Sequence, residues 1–375
     1  MIKRFYMGKI EDLLEPNKVL TIFGPRQSGK TTMIRDFLEK YKGKAYSSTG
    51  ENAPLAETLE SRNFTQIKSF FSGYDLIVID EAQKIDNIGE ALKIIVDQIN
   101  GIKVIATGSA SFDLSNKLGE PLVGRQRQIM LFPVSVGELK NNFGGSFIIE
   151  NLEQLMIFGS YPEILTTESA EKKKELLALL RDGYLYRDIL ELENLRNSKK
   201  ILDLLRLIAF QIGKEVSLQE LGITLGMSRA TVEKYLYLLE KAFVLINVRG
   251  FSRNLRKEIT KMSRYYFYDV GIRNAVIDNF NPLNARDDAG ALWENFIFIE
   301  RMKKRSYQKI HSNIYFWRTW QQQEIDLIEE RDGKLFGYEI KWGDKTIKPP
   351  KDWLRSYKNA SYEVINKNNY LDFIL

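Results

Sequence analysis

A glycine-rich segment between an apolar stretch and an amphipathic one constrains the fold of this chain most strongly. Residues 24–31 read GPRQSGKT and fit the pattern G-x-x-x-x-G-K-[ST] in full. Residues 19–23 are typical of a strand, and the residues after the segment favour a helix. Because the N–H groups of such a loop and the start of its helix attract phosphate oxygens, the segment predicts an α/β domain that binds a nucleoside triphosphate.

The loop itself supplies most of the predicted nucleotide contacts. Lys30 is predicted to be catalytic, reaching the β- and γ-phosphates, and Thr31 is predicted to ligate Mg²⁺. No N-K-x-D pattern occurs in the sequence, so ATP is predicted as the nucleotide rather than GTP. The predicted contacts in this segment are Gly24, Pro25, Arg26, Gln27, Ser28, Gly29, Lys30, Thr31 and Thr32.

Two more apolar runs are expected to bring polar side chains to the same edge of a parallel sheet. Residues 76–83 read LIVIDEAQ, a continuous apolar run of the kind found in buried central strands. Asp80 is predicted to hold Mg²⁺, and Glu81 to be the base for the attacking water. The next run, KVIATGSAS, offers Thr107 and Ser109 as alternative sensors of the γ-phosphate, and Ser109 is included among the nucleotide contacts.

Two arginines after these strands are candidate arginine fingers. Arg125 and Arg127 lie in LVGRQRQIMLFPVS, and they could act in cis or on a neighbouring subunit. A structural or substrate-contacting role is the alternative. Arg125 is included among the predicted nucleotide contacts.

Length and composition limit the number of domains, the kinds of metal site and the location that are expected. A chain of 375 residues is long for a single hydrophobic core, so two or three domains are expected. The absence of cysteine excludes disulfides and thiolate metal sites, and the single histidine, His311, excludes a histidine-cluster metal site. With no apolar run approaching a membrane span and no signal-peptide core, a cytoplasmic location without membrane contact is predicted.

The middle of the chain has the signals of a helix-turn-helix followed by strands, which predicts a winged helix. Ser217 and Glu220 fit a capping box, and Ser228 is placed to cap a second helix. DNA contact is predicted through Arg229, Lys234 and the basic stretch 249–264, which contains six positive residues and one negative. Protein contact and a merely solvated basic loop are the open alternatives.

Residues 324–342, EIDLIEERDGKLFGYEIKW, predict a β-hairpin with Asp332-Gly333 as its two-residue turn. Counting outward from this turn, Asp326 lies opposite Glu339, and Glu324 lies opposite Lys341. Gly337 would leave room on the same face for the backbone of a ligand.

The order helix, hairpin, helix, strand is the skeleton of metal-dependent nucleases of the Asp…Glu-x-Lys type. On this interpretation Asp326, Glu339 and Lys341 are catalytic, and Glu294, Asp326 and Glu339 ligate Mg²⁺. The alternative is that these side chains form the solvent-facing side of an amphipathic hairpin.

A series of short segments in a fixed order carries a family resemblance: GPRQSGKTT, LIVIDEAQ, ATGSAS, LFPVSVGEL, GSYPEI, YLYRDI, SRATVEKYLYLLEKAFVL, YYFYDVGIRN, LWENFIFIE, YFWRTWQQQEIDLI and YEIKW. Through them the chain resembles prokaryotic AAA+-like ATPases with a C-terminal domain of unknown function that has a restriction-endonuclease-like fold. The resemblance implies a PD-(D/E)XK motif on Glu294, Asp326, Glu339 and Lys341. A proline is the nominal partner before Asp326, where this chain has Glu324-Ile325.

The predicted fold class is therefore α/β, with a P-loop NTPase domain of AAA+/ASCE-like type over residues 1–148. The second predicted domain is a helical lid and winged-helix domain over residues 149–283. The third is a restriction-endonuclease-like α/β domain over residues 284–375. The predicted function is ATP hydrolysis in a nucleic-acid-associated protein with a Mg²⁺-dependent nuclease-like tail. The alternative is a signalling or regulatory ATPase switch whose remaining domains only bind partners, and an oligomer is compatible with both.

Overall fold

The chain divides into two units, which are described separately. The computed structural model describes residues 1–109, 122–183, 198–252, 263–319, 321–344 and 347–375. The first unit is Met1–Pro133 with Lys241–Phe243, and the second is Val134–Glu240 with Val244–Leu375. The predicted division into three domains stays a prediction.

A five-stranded parallel sheet forms the centre of the first unit, in the order β2-β3-β4-β1-β5. Its three middle strands are apolar and almost entirely buried, as a sheet covered on both faces requires. The predicted α/β fold with a parallel sheet is confirmed for this unit. The strands are β1 (Lys18–Phe23), β2 (Ala45–Thr49), β3 (Leu76–Asp80), β4 (Lys103–Gly108) and β5 (Gln126–Met130).

The helices of the first unit pack their apolar sides inward. The side chains of Ile88, Leu92 and Ile95 recur at helical spacing and are fully buried. Two helices begin at asparagine caps, Asn52 and Asn63, whose side chains accept backbone N–H groups. The helices are α1 (Ile10–Leu13), α2 (Lys30–Leu38), α3 (Ala53–Glu60), α4 (Phe64–Phe70) and α5 (Ile88–Gln98), with a 3₁₀ turn at Ala82–Lys84.

The second unit contains most of the helices. The segment predicted as a helix-turn-helix contains two helices, Leu218–Leu225 and Arg229–Lys241. The side chain of Ser217 accepts the N–H of Glu220, and that of Ser228 accepts the N–H of Thr231. Gly226 ends the first of these helices with φ of 59°. The helices are α6 (Val136–Phe143), α7 (Gly145–Phe158), α8 (Pro162–Thr166), α9 (Ala170–Gly183), α10 (Ser198–Phe210), α11 (Leu218–Leu225), α12 (Arg229–Lys241), α13 (Val270–Val276), α14 (Ala289–Tyr307), α15 (Lys351–Ser356) and α16 (Tyr370–Ile374), with a 3₁₀ turn at Leu283–Ala285.

A single seven-stranded sheet runs through the second unit, in the order β12-β11-β10-β9-β7-β8-β6. The strands after the helix-turn-helix join those of the tail because β7 pairs in parallel with β9, Arg249 with Tyr315 and Gly250 with Phe316. Residues on both sides of position 283 therefore share one sheet. The strands are β6 (Glu215–Val216), β7 (Leu245–Gly250), β8 (Ser263–Phe267), β9 (Asn313–Arg318), β10 (Glu324–Arg331), β11 (Lys334–Ile340) and β12 (Ala360–Ile365).

The hairpin of β10 and β11 has the predicted turn and register. Asp332 and Gly333 have φ of 50° and 71°, as a type I′ turn requires. Pairing runs from Arg331 opposite Lys334 to Leu327 opposite Tyr338. Most residues on both faces of the hairpin are buried, so its acidic residues do not form the solvent-facing side of an amphipathic hairpin.

A β-bulge in the pairing of β10 with β9 changes which side chains of β10 share a face. The pairing of β10 with β9 shifts register between Ile325 and Ile328, so both side chains join Leu335 in one core cluster. A Cβ on Gly337 would lie 3.2 Å from the Ile325 side chain. The prediction that Gly337 leaves room for a ligand is wrong, because Ile325 fills that space.

A close backbone approach in the second unit gives a stability prediction. A Cβ at Gly271 would lie 2.1 Å from the carbonyl oxygen of Phe158. Gly271→Ala must push this backbone away, and we expect it to lower the free energy of unfolding by about 1–3 kcal/mol. Gly290→Ala is the matched control, since nothing lies within 4 Å of its Cβ position in α14. Chemical denaturation measures both, and equal stabilities would contradict the packing described.

Candidate functional site

The glycine-rich loop lies at the carboxyl end of β1, between that strand and the start of α2. The backbone of Gln27 and Gly29 is left-handed, with φ of 57° and 96°, which curls the loop before α2 begins at Lys30. A Cβ at Gly24 would lie 2.1 Å from the carbonyl oxygen of Leu131. Only glycine fits at this position, and the N-terminus of α2 at Lys30 favours an anion.

Two side chains of α2 place a cation and a hydroxyl beside the loop. The Lys30 amine is buried and donates to the carbonyl oxygens of Gly24 and Pro25 at 2.8 and 2.9 Å. Thr31 Oγ1 donates to Asp80 Oδ2 at 2.6 Å, which joins α2 to the end of β3. A hydroxyl beside a carboxylate is a hard oxygen donor set, so Thr31 and Asp80 fit Mg²⁺.

Polar residues at the ends of β3 and β4 form a connected network around Asp80 and Glu81. Thr107 Oγ1 donates to Asp80 Oδ1 and accepts the N–H of Glu81 at 3.1 Å. Ser109 Oγ donates to Glu81 Oε2 at 3.1 Å, and Gln83 Nε2 donates to the same carboxylate oxygen. Thr107 thus contacts the predicted Mg²⁺ ligand, whereas Ser109 and Gln83 hold the predicted base.

Arg4 is a contact of the loop that sequence analysis missed. Its buried guanidinium donates to the carbonyl oxygen of Ser28 and, at 2.5 Å, to that of Phe132. It therefore ties the glycine-rich loop to the segment after β5. The apolar residues Ile2, Tyr6 and Ile10 on either side of it are buried, but no motif marks Arg4 in the sequence.

The structure places Arg125 away from the nucleotide loop of its own chain. Gln126 pairs with Val19 at the amino end of β1, whereas the loop follows the carboxyl end at Phe23. The four steps along the strand from Val19 to Phe23 span roughly 13 Å. Arg125 is paired with Asp97 at 2.6 Å, so the prediction that it contacts the nucleotide in cis is wrong. Arg127 lies 3.5 Å from Glu15.

In the second unit, four acids come together as what we call the carboxylate cluster, defined as Glu294, Glu324, Asp326 and Glu339. Lys341 bridges two of them, with its Nζ 2.7 Å from Glu339 Oε1 and 3.4 Å from Asp326 Oδ2. The backbone N–H of Ile340 also donates to Asp326 Oδ2 at 2.9 Å. Of the three residues predicted to be catalytic, Lys341 therefore contacts both Asp326 and Glu339.

Arg264 on β8 enters the same cluster and was missed as a site residue. Its Nη2 lies 2.9 Å from Glu324 Oε2, and its Nη1 lies 3.4 Å from Asp326 Oδ1 and 3.9 Å from Glu294 Oε1. The side chain is only 3% exposed. The prediction that Arg264 contacts DNA as part of the basic stretch 249–264 is wrong, because its charge is directed to the carboxylate cluster.

Burial changes the protonation of the cluster. Burial, with the charge of Asp326, raises the pKa of Glu294 to about 8, and the hydroxyl of Tyr266 donates to Glu294 at 2.7 Å. Burial and Asp326 likewise raise the pKa of Glu339 to about 7. The pKa of Lys341 is raised by Asp326 and Glu339 despite the opposing effect of burial. At neutral pH Glu294 and Glu339 are thus partly neutralised by protons, and Lys341 and Arg264 add positive charge beside the cluster.

The cluster, as placed, does not fit a divalent metal ion. Across residues 1–109, 122–183, 198–252, 263–319, 321–344 and 347–375, no three acidic or histidine side chains are arranged to hold one. Lys341 and Arg264 lie against the two oxygens of Asp326, where a metal would bind. Glu339 Oε2 is buried without a hydrogen-bond partner, yet it is one oxygen only. Glu294, Asp326 and Glu339, the predicted metal ligands, are here ion-pair and hydrogen-bond partners.

The predicted DNA contacts are only partly described. Arg229 and Lys234 are exposed on α12, and Arg249 is exposed on β7. Most of the basic stretch, residues 253–262, lies outside the described residues. DNA association through these side chains stays a prediction.

Three domain-family models match successive parts of the chain. Residues 16–140 match the AAA domain, residues 149–283 match a domain of unknown function (DUF8612), and residues 289–370 match another (DUF4143). The AAA match covers the nucleotide loop and the parallel sheet. The two C-terminal matches assign no activity, so the winged-helix and nuclease-fold assignments stay predictions.

The chain is also similar to two relatives and to one solved structure. The chain is 28% identical over 352 residues to an uncharacterized protein of Mycobacterium tuberculosis, covering 90% of this chain and 74% of the relative. It is 25% identical over 338 residues to one from Methanocaldococcus jannaschii, covering 85% and 74%. Its fold resembles a Walker-type ATPase of Pyrococcus abyssi with a TM-score of 0.50 and 19% identity, covering 74% of this chain and 96% of the other. The AAA match and this fold support a P-loop ATPase family.

No helix in the described part of the chain has the length and apolar character needed to cross a membrane.

The Arg4 contacts give a prediction for the loop. Arg4→Ala leaves the carbonyl oxygens of Ser28 and Phe132 without this donor, so the loop becomes less ordered before it binds a ligand. We expect the Kd for ATP to rise by about tenfold, equivalent to about 1.4 kcal/mol. Calorimetric titration measures it. Lys3→Ala, at the exposed neighbouring side chain, is the control, and equal affinities of both variants would contradict this role.

Proposed function

We propose that the chain hydrolyses ATP in a Mg²⁺-dependent reaction at the glycine-rich loop of the first unit. The observation that carries the proposal is the convergence of Lys30, the Thr31–Asp80 pair and Glu81 at one edge of the parallel sheet. This edge is where ligands of open parallel sheets bind. The AAA-domain match supports the same conclusion.

Each side chain has a role that follows from its position. Lys30 is held over the loop by two carbonyl oxygens, so its amine can exchange them for phosphate oxygens without a large movement. Thr31 and Asp80 would hold Mg²⁺, which supplies charge neutralisation on the phosphates when bound. Glu81, oriented by Gln83 and Ser109, would accept a proton from the attacking water.

Two variants separate binding from chemistry. Lys30→Ala removes the cation that contacts the phosphates, and we expect it to abolish both ATP binding and turnover. Glu81→Gln keeps the shape of the side chain but removes the base, so ATP still binds while turnover falls by about 10²–10⁴-fold. Phosphate release and nucleotide titration measure the two quantities.

Lys40→Ala is the matched control, since Lys40 follows α2, is exposed and pairs with Asp36 at 2.7 Å. It should hydrolyse ATP at the normal rate. Unchanged hydrolysis in Lys30→Ala would refute the proposed function.

For the second unit we propose a binding role coupled to the nucleotide state, in place of nucleic-acid cleavage. The observation that favours it is the pairing of Lys341 and Arg264 with the acids that a nuclease would use for Mg²⁺. The exposed basic residues Arg229 and Lys234 on α12 suit a nucleic acid as the partner. The alternative partner is a protein.

A cleavage assay tests this choice. With Mg²⁺ or Mn²⁺, we expect neither the wild-type protein nor Asp326→Ala to cut single- or double-stranded DNA or RNA. Cleavage by the wild type that Asp326→Ala abolishes would establish the nuclease instead. Binding of the same nucleic acids, measured by anisotropy with and without ATP, should weaken in Arg229→Ala/Lys234→Ala and not in Asp326→Ala.

A further inference from the structure

The carboxylate cluster is built from parts of the chain that are far apart in sequence. Glu294 lies on α14, Glu324 and Asp326 lie on β10, and Glu339 lies on β11. Gly213, before β6, closes one side, because a Cβ there would lie 2.7 Å from the Glu294 carboxyl group. Among the described residues, two cations, Lys341 and Arg264, pair with these four acids.

Arg264 reaches the cluster from a distant strand. Two strands, β7 and β9, lie between β8 and β10 in the sheet. The guanidinium lies over the ring of Phe316 on β9, 4.5 Å from its centroid, and so arrives at three of the four acids. Its Nε is buried without a hydrogen-bond partner, so the contacts of the guanidinium are concentrated on its two terminal nitrogens.

We infer that the carboxylate cluster is a cation-binding pocket whose resident cation is the Arg264 guanidinium, and that this side chain excludes divalent metal ions from it. The inference is independent of ATP hydrolysis, since all the residues involved lie in the second unit. It also explains why acids arranged in the order of a metal-dependent nuclease do not form a metal site.

The physical basis is charge balance in a buried space. Acids that are removed from water need a compensating charge, and loss of one partner of such a pair is strongly unfavourable. Without Arg264, oxygens of Glu294, Glu324 and Asp326 would surround the space that its terminal nitrogens fill at 2.9–3.9 Å. Hard cations bind carboxylate oxygens at about 2.0–2.6 Å. The oxygens would need to move inward by roughly 1 Å, and Glu324, whose side chain is 40% exposed, has room to move.

The test is to remove the resident cation and supply another. Arg264→Met keeps an apolar stem against Phe316 but removes the charge. Wild type, Arg264→Met and Arg264→Met/Asp326→Asn are titrated with Mn²⁺ without nucleotide. Free Mn²⁺ is followed by its electron paramagnetic resonance signal, and the melting temperature is recorded in parallel. Arg249→Met, an exposed arginine on β7, is the matched control.

In the presence of a chelator, we expect Arg264→Met to have a lower melting temperature than wild type. In the Mn²⁺ titration, we expect it to bind one more ion than wild type, with an affinity at the carboxylate cluster at least about tenfold above that of wild type. Mn²⁺ should restore part of its lost melting temperature. The double variant and Arg249→Met should bind no more Mn²⁺ than wild type. Uptake by Arg264→Met equal to that of wild type would overturn the inference.

A comparison that keeps Arg264 covers the case in which Arg264→Met does not fold. The wild type and Asp326→Asn should bind Mn²⁺ equally, because the pocket already holds its cation. A Mn²⁺ ion that binds wild type and is lost in Asp326→Asn would show a native metal site, and the inference would be wrong.

Discussion

Burial of charge is the constraint on which the second unit depends. Arg301 and Glu329 form a bidentate pair at 2.7 and 2.8 Å between α14 and β10, and both side chains are almost fully buried. Lys303 likewise pairs with Glu300 at 2.7 Å inside the same helix. Each of these charges is tolerable in the interior because an opposite charge lies beside it. The Arg301–Glu329 pair also joins α14 to the sheet.

The first unit depends on a different constraint, the parallel direction of its strands. Because β1, β3 and β4 all run the same way, their carboxyl ends meet at one edge, and Asp80 contacts both Thr107 and Thr31 there. The same geometry separates Arg125 from the loop, since it precedes a strand whose start lies at the other edge. Strand direction thus decided which of the predicted side chains lie at the same edge of the sheet as the loop.

Local signals in the sequence predicted local structure well. The glycine-rich loop, the apolar strands of the first sheet, the serine caps of α11 and α12, and the Asp332-Gly333 turn all follow from rules that involve neighbouring residues. The errors came from contacts between distant residues. The bulge that brings Ile325 over Gly337, the burial of Arg264 and the contacts of Arg4 leave no mark in a single segment.

The sequence by itself determined the nucleotide loop, the acids of β3 and the register of the hairpin, because glycine conformations, apolar runs and turn geometry are properties of short segments. Only the tertiary structure decided what surrounds the carboxylate cluster. The spacing of Asp326, Glu339 and Lys341 in the sequence is the same whether a metal ion or an arginine lies against the Asp326 carboxylate. Whether a metal ion or an arginine lies there depends on Arg264, which is 62 residues before Asp326 in the chain. The pairing of β7 with β8 and β9 brings Arg264 to the cluster.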